Sequence, residues 1–305
     1  MKRLLVALAG GVGAARCLAG FPPDNLFIIG NTGDDCVLHG LHISPDLDTV
    51  TYTLAGLSHP KQGWGLARDT FHCLDALTRL GADTWFRLGD RDVATHLYRT
   101  HRLQQGATLS QVTQEITRAL GVVSTILPMS DDPVRTQVRT PAGLLDFQTW
   151  FVQRQHRDPV RSIRFRGARR AKPSPGILRA IERAHAILVC PSNPIISIGP
   201  ILAVPGIRQA LRSTPAPVIA VSPLIAGHAL KGPAASMMKD MGLRPSSLGV
   251  AELYQDFLDI LILDHADSSL VPSIQRLGIG PVVTNTLLDT RPRRRALARR
   301  ILELL

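Results

Sequence analysis

Two aspartates separated by one apolar residue, Asp46 and Asp48, carry the side chains best suited to chemistry in this chain. They follow Pro45, and in an extended segment residues i and i+2 point to the same side. We therefore expect the two carboxylates to converge on one object, such as a magnesium ion, a hydroxyl group or a ring nitrogen. Asp and Pro are also ordinary turn residues, so a plain turn is the alternative.

A glycine-rich turn, with Gly10, Gly11 and Gly13, follows the first apolar run of the chain. Glycines let backbone N–H groups approach a phosphate, and the start of the following helix favours negative charge. Arg16, one helical turn further on, is a candidate phosphate contact. The turn lacks the full dinucleotide fingerprint and the Gly-Lys-Ser/Thr of a P-loop, so a tight turn without a ligand is the alternative.

Two more polar loops follow apolar runs. In the first loop, Asn31 and Thr32 are candidate nucleotide contacts. Asp34 or Asp35 is suited to bind a ribose hydroxyl or a metal; the alternative is that these aspartates cap a helix or turn. The second loop, residues 191–200, contains three prolines and one glycine, which fix its backbone. Its side chains suited to the phosphates and base edge of a nucleotide are Ser192, Asn193 and Ser197.

A charged segment runs from Arg87 to Asp92 and places four charged side chains beside Gly89. Such a density of charge is unusual for plain surface and is typical of a binding site. A local salt-bridge cluster is the alternative interpretation.

The strands that would position these loops are predicted by short apolar runs. The runs are rich in Val, Ile and Leu, which is typical of strands buried on both faces. These runs lie at residues 4–9, 26–29, 186–190, 218–221 and 260–263. Helical patterns at 177–185 and 207–212 lie between them, and the alternation predicts an α/β fold with a doubly wound, mostly parallel sheet. Ligands of such sheets bind beyond the carboxyl ends of the strands, where the polar loops stand.

The middle of the chain has a different pattern. It predicts helices at 69–80 and 110–120, a hairpin of 134–140 with 144–152, and a further strand at 160–166. We therefore predict a single domain over residues 1–305, with core segments 1–50 and 173–305 and a helical and β insertion at about 51–172.

Composition narrows the classes of function. The net charge of +11 suggests nucleic-acid binding, but 14 of the 35 Lys and Arg lie in the runs 154–172 and 291–300, without interleaved aromatics. A stacking platform requires such aromatics, so we predict a solvated basic surface and no nucleic-acid partner, with a polyphosphate or nucleic-acid surface as the alternative.

No apolar run reaches the roughly 20 residues of a membrane span. Four cysteines without CxxC spacing fit a reducing compartment, so we predict a cytoplasmic protein.

Five segments together resemble the 2-phospho-L-lactate transferases of coenzyme F420 biosynthesis, in the order of that family and over nearly the whole chain. They are 44–50 (SPDLDTV), 88–92 (LGDRD), 126–133 (ILPMSDDP), 191–200 (PSNPIISIGP) and 249–259 (GVAELYQDFLD). The chain departs from the common pattern in the glycine loop, where Val12 and residues 14–16 replace a frequent threonine and a Pro-Lys pair.

The resemblance implies a Rossmann-like fold, Mg²⁺ as cofactor and a homodimer. It implies transfer of a phospho-acid unit from a guanylyl diphosphate-linked donor to the deazaflavin alcohol Fo (7,8-didemethyl-8-hydroxy-5-deazariboflavin), with release of GMP. The acid of the donor is lactate, enolpyruvate or glycerate in known members. The alternative is a nucleotide-sugar-binding metabolic regulator of related fold, without transferase activity.

The resemblance also implies roles for individual residues. Asp48 matches the Fo-contacting aspartate of the family, and Arg87 matches a basic Fo contact that is often lysine. The glycine loop and the loop at 192–197 match the nucleotide side. We expect Asp48 to orient or deprotonate the attacking hydroxyl and Asp46 to assist the metal, which makes both of them candidate catalytic residues and metal ligands.

Overall fold

The computed structural model describes residues 3–229 and 232–305, and its strands and helices alternate along much of the chain. The strands are β1 Leu5–Ala9, β2 Leu26–Gly30, β3 Cys36–Leu38, β4 Leu41–Ile43, β5 Thr125–Pro128, β6 Arg135–Thr140, β7 Gly143–Asp146, β8 Ser162–Arg166, β9 Ala186–Val189, β10 Val218–Val221, β11 Leu224–Ile225, β12 His228–Ala229, β13 Ile260–Leu263 and β14 Gly280–Val283. Met1 and Lys2, which begin the predicted first core segment, lie outside the described residues.

The α-helices vary from single turns to the four turns of the longest one. They are α1 Gly11–Leu18, α2 Pro45–Leu54, α3 His72–Arg79, α4 Asp90–Gln104, α5 Leu109–Ala119, α6 Ile177–Glu182, α7 Gly199–Ala203, α8 Ile207–Ser213, α9 Ala234–Asp240, α10 Ser247–Tyr254, α11 Val271–Gln275 and α12 Arg291–Leu302. In the described ranges no single helix is long and apolar enough to cross a membrane; the segments Pro194–Ala203 and Ile207–Ser213 reach that length only together, and they meet at 88°.

Seven strands form the main sheet, in the order β14-β13-β10-β9-β1-β2-β5. All neighbouring strands in it are parallel. The chain passes outward from β1 through β2 to β5, and then outward on the other side from β9 to β14. This reversal between β1 and β9 is the topological switch point, where doubly wound sheets bind their ligands. The predicted α/β fold class is confirmed.

Helices cover both faces of the sheet, which explains the continuous apolar runs. Along β1, Val6 and Leu8 belong to one core cluster, whereas Leu5, Ala7 and Ala9 belong to the other. Side chains of a strand alternate between faces, so a strand with two buried faces needs apolar residues at every position. All five strands predicted from these runs are present.

Two edge strands of the sheet, β5 and β14, were not predicted. Both contain proline, which cannot donate a hydrogen bond to a neighbouring strand and is therefore tolerated at a sheet edge. Because β5 pairs with β2, the predicted insertion at 51–172 is interrupted by a strand of the main sheet. Helices α3 to α5 precede β5, and the three-stranded sheet β7-β6-β8 follows it.

The predicted hairpin of the insertion is shorter than expected. Its first arm, β6, matches the prediction, but its second arm ends at Asp146 instead of continuing to residue 152. The apolar residues beyond Asp146 form a π-helical turn, Thr149–Gln153, around the buried Trp150. A short apolar run does not distinguish a strand from a buried helical turn, which accounts for the error.

The glycine loop allows α1 to approach the loop after β9 at the switch point. A Cβ atom on Gly13 would lie 2.1 Å from the carbonyl oxygen of Pro191. That oxygen belongs to the backbone, so the contact is relieved only if α1 and the strand end move apart. The absence of a side chain at Gly13 therefore sets the spacing of the two loops.

We expect Gly13→Ala to lower the free energy of unfolding by more than about 2 kcal/mol, as overpacking of a tight contact does. Denaturant unfolding checks this. Gly280→Ala is the matched control, because a Cβ atom there would meet only ordinary contacts at 3.5 and 3.8 Å. Equal stability losses in the two variants would show that the close approach at Gly13 is not important.

Candidate active site

A cavity of about 970 Å³ lies at the carboxyl ends of the strands around the switch point. The predicted site residues that line it are Gly10, Gly11, Gly13, Asn31, Asp46, Asp48, Arg87, Ser192, Asn193 and Ser197. Thr32 is not among the lining residues: its side chain is buried, and its hydroxyl lacks a hydrogen-bond partner among the described residues. The structure therefore does not bring Thr32 to the proposed nucleotide side.

Asp46 and Asp48 lie in the first turn of α2, so the prediction of an extended segment is wrong. Pro45 occupies the first helical position, where its missing N–H costs nothing, and acidic residues in the first turn are favoured by the helix dipole. On a helix, residues i and i+2 point to nearly opposite sides. The two carboxylates consequently have different partners and do not converge on a single group.

Asp46 lies against the glycine loop. The Gly11 N–H donates to its carboxylate, Asn31 Nδ2 donates to its Oδ2 atom at 2.9 Å, and it also interacts directly with Asp34. Burial, opposed by the Asn31 hydrogen bond, raises the pKa of Asp46 to about 7. Burial and the neighbouring carboxylates likewise raise the pKa of Asp34. Two carboxyl groups out of water at one point favour a shared proton or a cation.

Asp48 lies against α4 on the other side of the first turn. Both of its oxygens accept from the Arg99 guanidinium, with Arg99 Nη1 at 3.1 Å from Oδ2. Burial raises the pKa of Asp48, and the positive charge of Arg99 opposes that shift. Burial in turn disfavours the charge on Arg99, but the Asp48 carboxylate raises the pKa of the guanidinium above its usual value. The result is a buried, bidentate ion pair that fixes Asp48.

His96 extends this network towards Asp92. Arg99 Nη1 lies 3.1 Å from His96 Nδ1. A guanidinium only donates, so His96 Nδ1 accepts and the ring proton is on Nε2, 3.3 Å from Asp92 Oδ1. The Tyr52 hydroxyl donates to the same Asp92 oxygen at 2.8 Å. Sequence analysis missed this network, although the spacing i, i+4, i+7 of Asp92, His96 and Arg99 on one helix face indicates it.

The charged segment from Arg87 to Asp92 is mainly structural. Asp90 Oδ1 accepts from the Cys73 N–H at 2.9 Å and thereby caps the start of α3. Asp69 caps the start of α4 in return, since it accepts from the backbone N–H groups of Arg91 and Asp92 at 2.9 and 3.1 Å. A Cβ atom on Gly89 would lie 2.2 Å from the Asp69 carboxylate, so a larger residue there would displace the side chain that caps α4. Within the segment, Arg87, Leu88 and Asp92 line the cavity.

In the loop after β9, some polar side chains hold the backbone in place and others are available to contact a ligand. Ser192 Oγ donates to the Gly10 carbonyl at 2.8 Å and so ties the two loops of the switch point together. Asn193 Oδ1 accepts from two backbone N–H groups of the π-helical turn Pro194–Ile198. Ser197 lies close to Gly10, where a Cβ atom would be 3.2 Å from its hydroxyl. The Gly10 N–H in turn donates to Ser192 Oγ at 3.3 Å, so Ser197 is the side chain of this loop best placed to contact a ligand.

Arg87 and Arg16 supply positive charge to the cavity. The Arg87 guanidinium lies 4.3 Å from the centre of the Phe71 ring, an arrangement that orients it by a cation–π contact. Arg16 Nη2 donates to the Lys61 carbonyl at 3.4 Å. Two guanidiniums and several aromatic side chains in one cavity suit a ligand that carries both phosphates and planar rings.

A magnesium ion fits the Asp46 side of the cavity. In the described part of the chain, no three His, Cys, Asp or Glu side chains form a ready metal cluster. Mg²⁺ typically uses only one or two carboxylates, together with water and substrate phosphates. Asp34 and Asp46 provide two adjacent carboxyl groups whose repulsion a cation would relieve. The buried Asp35 Oδ1 also has no hydrogen-bond partner among the described residues.

Comparison with known proteins identifies a family. Residues 5–293 match the family model of the 2-phospho-L-lactate transferase CofD. A 2-phospho-L-lactate transferase of Methanosarcina mazei is 38% identical over 298 residues, which cover 96% of this chain and 98% of the relative. A phosphoenolpyruvate transferase of Kitasatospora aureofaciens is 44% identical over 286 residues, which cover 90% of this chain and 89% of the relative.

Solved structures support the fold. A UPF0052 family protein from Bacillus halodurans superposes with a TM-score of 0.64 over 99% of both chains. Its sequence identity is 16%, so the likeness concerns the fold alone.

Proposed function

This chain belongs to the 2-phospho-L-lactate transferase CofD family of coenzyme F420 biosynthesis, and we propose that it transfers a phospho-acid unit to the deazaflavin alcohol Fo. The donor is a guanylyl diphosphate-linked phospho-acid, whose acid is lactate, enolpyruvate or glycerate, and GMP is released. Relatives named for 2-phospho-L-lactate and for phosphoenolpyruvate are similar to this chain to nearly the same degree. The acid is therefore left to experiment.

The observation that carries the proposal is the arrangement of Asp46 and Asp48 on opposite sides of one helical turn. Asp46 lies at the glycine loop, with the Gly11 N–H and the adjacent Asp34. Asp48 is paired with Arg99, on the side of the cavity that Tyr52 lines. This turn separates a phosphate-binding region from an acceptor region, and the reacting phosphorus atom belongs between them.

The chemical step is a displacement at phosphorus. The ribityl hydroxyl oxygen of Fo forms a bond to the phosphorus of the phospho-acid, and the bond from that phosphorus to the bridging oxygen of GMP breaks. GMP leaves with the bonding electron pair, and the hydroxyl proton passes to Asp48. The raised pKa of Asp48 improves it as a proton acceptor, and its bidentate contact with Arg99 holds it in one orientation.

The groups that neutralise the negative charge of the phosphates lie on the Asp46 side of the turn. Phosphoryl-type transfer depends on positioning and on stabilising charge more than on covalent help. On this side the chain supplies Arg16 and the N-terminus of α1, whereas Arg87 is the proposed basic contact to Fo. A bound Mg²⁺, held by Asp46 and Asp34, would stabilise negative charge on the diphosphate oxygens.

The test is a reaction of the purified protein with Fo, Mg²⁺ and each of the three guanylyl donors, followed by mass spectrometry. We expect a product equal to Fo plus one phospho-acid, with equimolar GMP, from one preferred donor. Absence of product from every donor, in folded protein that binds a nucleotide sugar tightly, would contradict the proposal and favour the regulator. A homodimer, a cytoplasmic location and the lack of a nucleic-acid or membrane partner stay predictions.

A further inference from the structure

Three aromatic rings form a column along one wall of the cavity. The rings of Phe147 and Phe151 are stacked with centroids 5.2 Å apart and planes 11° apart. The His156 ring continues the column at 5.4 Å from Phe151, with an angle of 25°. All three rings line the cavity. The innermost ring, Phe147, is buried, whereas His156 at the outer end is exposed and also lies 6.0 Å from the Trp150 ring, at an angle of 56°.

The backbone that presents His156 is held in an unfavourable conformation. Gln155 and His156 both have positive φ, at 54° and 46°. Residues other than glycine are disfavoured in this left-handed conformation. Such strain persists only where surrounding contacts enforce it, and it is concentrated at functional sites.

The enforcing contacts come from the turn around His156. The His156 N–H donates to the Trp150 carbonyl at 2.9 Å, and the indole of the buried Trp150 donates to the Asp158 carbonyl at 3.0 Å. Arg154 and Asp158 form a bidentate ion pair at 2.6 and 2.7 Å, which closes the turn. Together these contacts fix the exposed His156 ring at the wall of the cavity.

The column is attached to the phosphate side of the site. Gln148, adjacent to Phe147, donates through Nε2 to the Asp34 carbonyl at 2.9 Å. Asp34 in turn interacts with Asp46. This hydrogen bond ties the segment that carries the rings to the backbone of Asp34, one of the two carboxylates that fit Mg²⁺.

We propose that Phe147, Phe151 and His156 form a stacking subsite for a planar heteroaromatic ring, with His156 as the face that contacts the ligand. The inference rests on the proposed function, whose two substrates each carry such a ring: guanine in the donor and the deazaflavin in Fo. Stacking of a base on an aromatic side chain is sequence-tolerant and contributes roughly 1–3 kcal/mol. Either ring satisfies the geometry, and separate binding measurements distinguish them.

The experiment compares His156→Asn with His156→Phe in the full-length protein. Asparagine tolerates positive φ nearly as well as histidine, so it removes the ring without changing the backbone. Phenylalanine keeps a ring. The matched control is His101→Asn, the same change at an exposed histidine outside the cavity. Calorimetry measures the Kd of GMP, and the intrinsic fluorescence of Fo measures the Kd of Fo.

We expect His156→Asn to weaken binding of one of the two ligands by about 5- to 100-fold, as loss of a stacking contact does. His156→Phe keeps the ring but is less tolerant of positive φ, so its Tm is compared with that of the wild type. With an unchanged Tm it should retain affinity within about threefold of the wild type. Loss of GMP affinity assigns the column to guanine, and loss of Fo affinity assigns it to the deazaflavin. Unchanged affinity for both ligands, in a wild-type protein that binds both, overturns the subsite. Wild-type protein that binds neither ligand instead overturns the proposed function.

Discussion

Asp48→Asn is expected to lower kcat for transfer by about 10²- to 10⁴-fold, the contribution that a positioned proton acceptor makes. The asparagine amide keeps the size of the side chain and can still accept a hydrogen bond from Arg99. It cannot take the proton of the attacking hydroxyl. The KM for the guanylyl donor should change little, because Asp48 lies on the acceptor side of α2.

The same substitution is expected to destabilise the protein. Arg99 is 2% exposed and its guanidinium is paired with Asp48. Removal of one member of a buried ion pair leaves an uncompensated charge and typically costs about 3–5 kcal/mol. A loss of activity in Asp48→Asn alone would therefore have two explanations, chemistry and unfolding.

A double variant separates the two effects. Asp48→Asn combined with Arg99→Met removes both charges, and the unbranched methionine fills much of the space of the arginine stem. We expect the double variant to regain most of the lost unfolding free energy, measured by denaturant titration, while kcat stays as low as in the single variant. Recovery of transfer along with stability would show that Asp48 serves the fold and not the reaction.

The fold could be predicted from the sequence because a strand that is buried on both faces has a recognisable local pattern. Runs such as 186–190 and 260–263 are apolar at every position, and each became a strand of the main sheet. The start of α2 also had a local signature that was overlooked. Proline at the first helical position followed by acidic residues is typical of a helix start, and it outweighs the extended conformation assumed for Asp46 and Asp48.

The partners of the site residues could not be predicted in the same way. Arg99 contacts Asp48 across 51 positions of sequence, and Ser192 contacts Gly10 across 182. Such pairs depend on how whole elements pack, which no local pattern contains. Helical spacing indicates that Asp92, His96 and Arg99 share a face of α4, but only the packing of α4 shows that this face meets Asp48.

The second large effect concerns Asp46, whose pKa is raised to about 7. In an unfolded chain the same carboxyl has a pKa near 4. When the pKa of a group is higher in the folded protein than in the unfolded chain, the group contributes its full stabilisation at pH values below its unfolded-state pKa. That stabilisation is lost as pH rises through its folded-state pKa. In the absence of Mg²⁺ we expect the free energy of unfolding to fall between pH 4 and pH 8, by an amount on the order of 4 kcal/mol at about 1.4 kcal/mol per pKa unit.

Mg²⁺ should reverse this trend, because the cation competes with the proton for the same carboxylates. We expect Mg²⁺ to raise Tm more at pH 8 than at pH 5.5. Asp46→Asn should abolish transfer yet raise Tm at pH 8 in metal-free buffer, since it removes one of two repelling charges. Its amide oxygen can still accept from one of the two donors, Asn31 Nδ2 or the Gly11 N–H, and its NH2 group can donate to Asp34. Thermal unfolding with and without EDTA checks the two Tm outcomes, and the mass-spectrometric transfer assay checks the loss of activity. An Asp46→Asn protein that is less stable at pH 8, or that keeps the full Mg²⁺-induced shift, would remove Asp46 from the metal site.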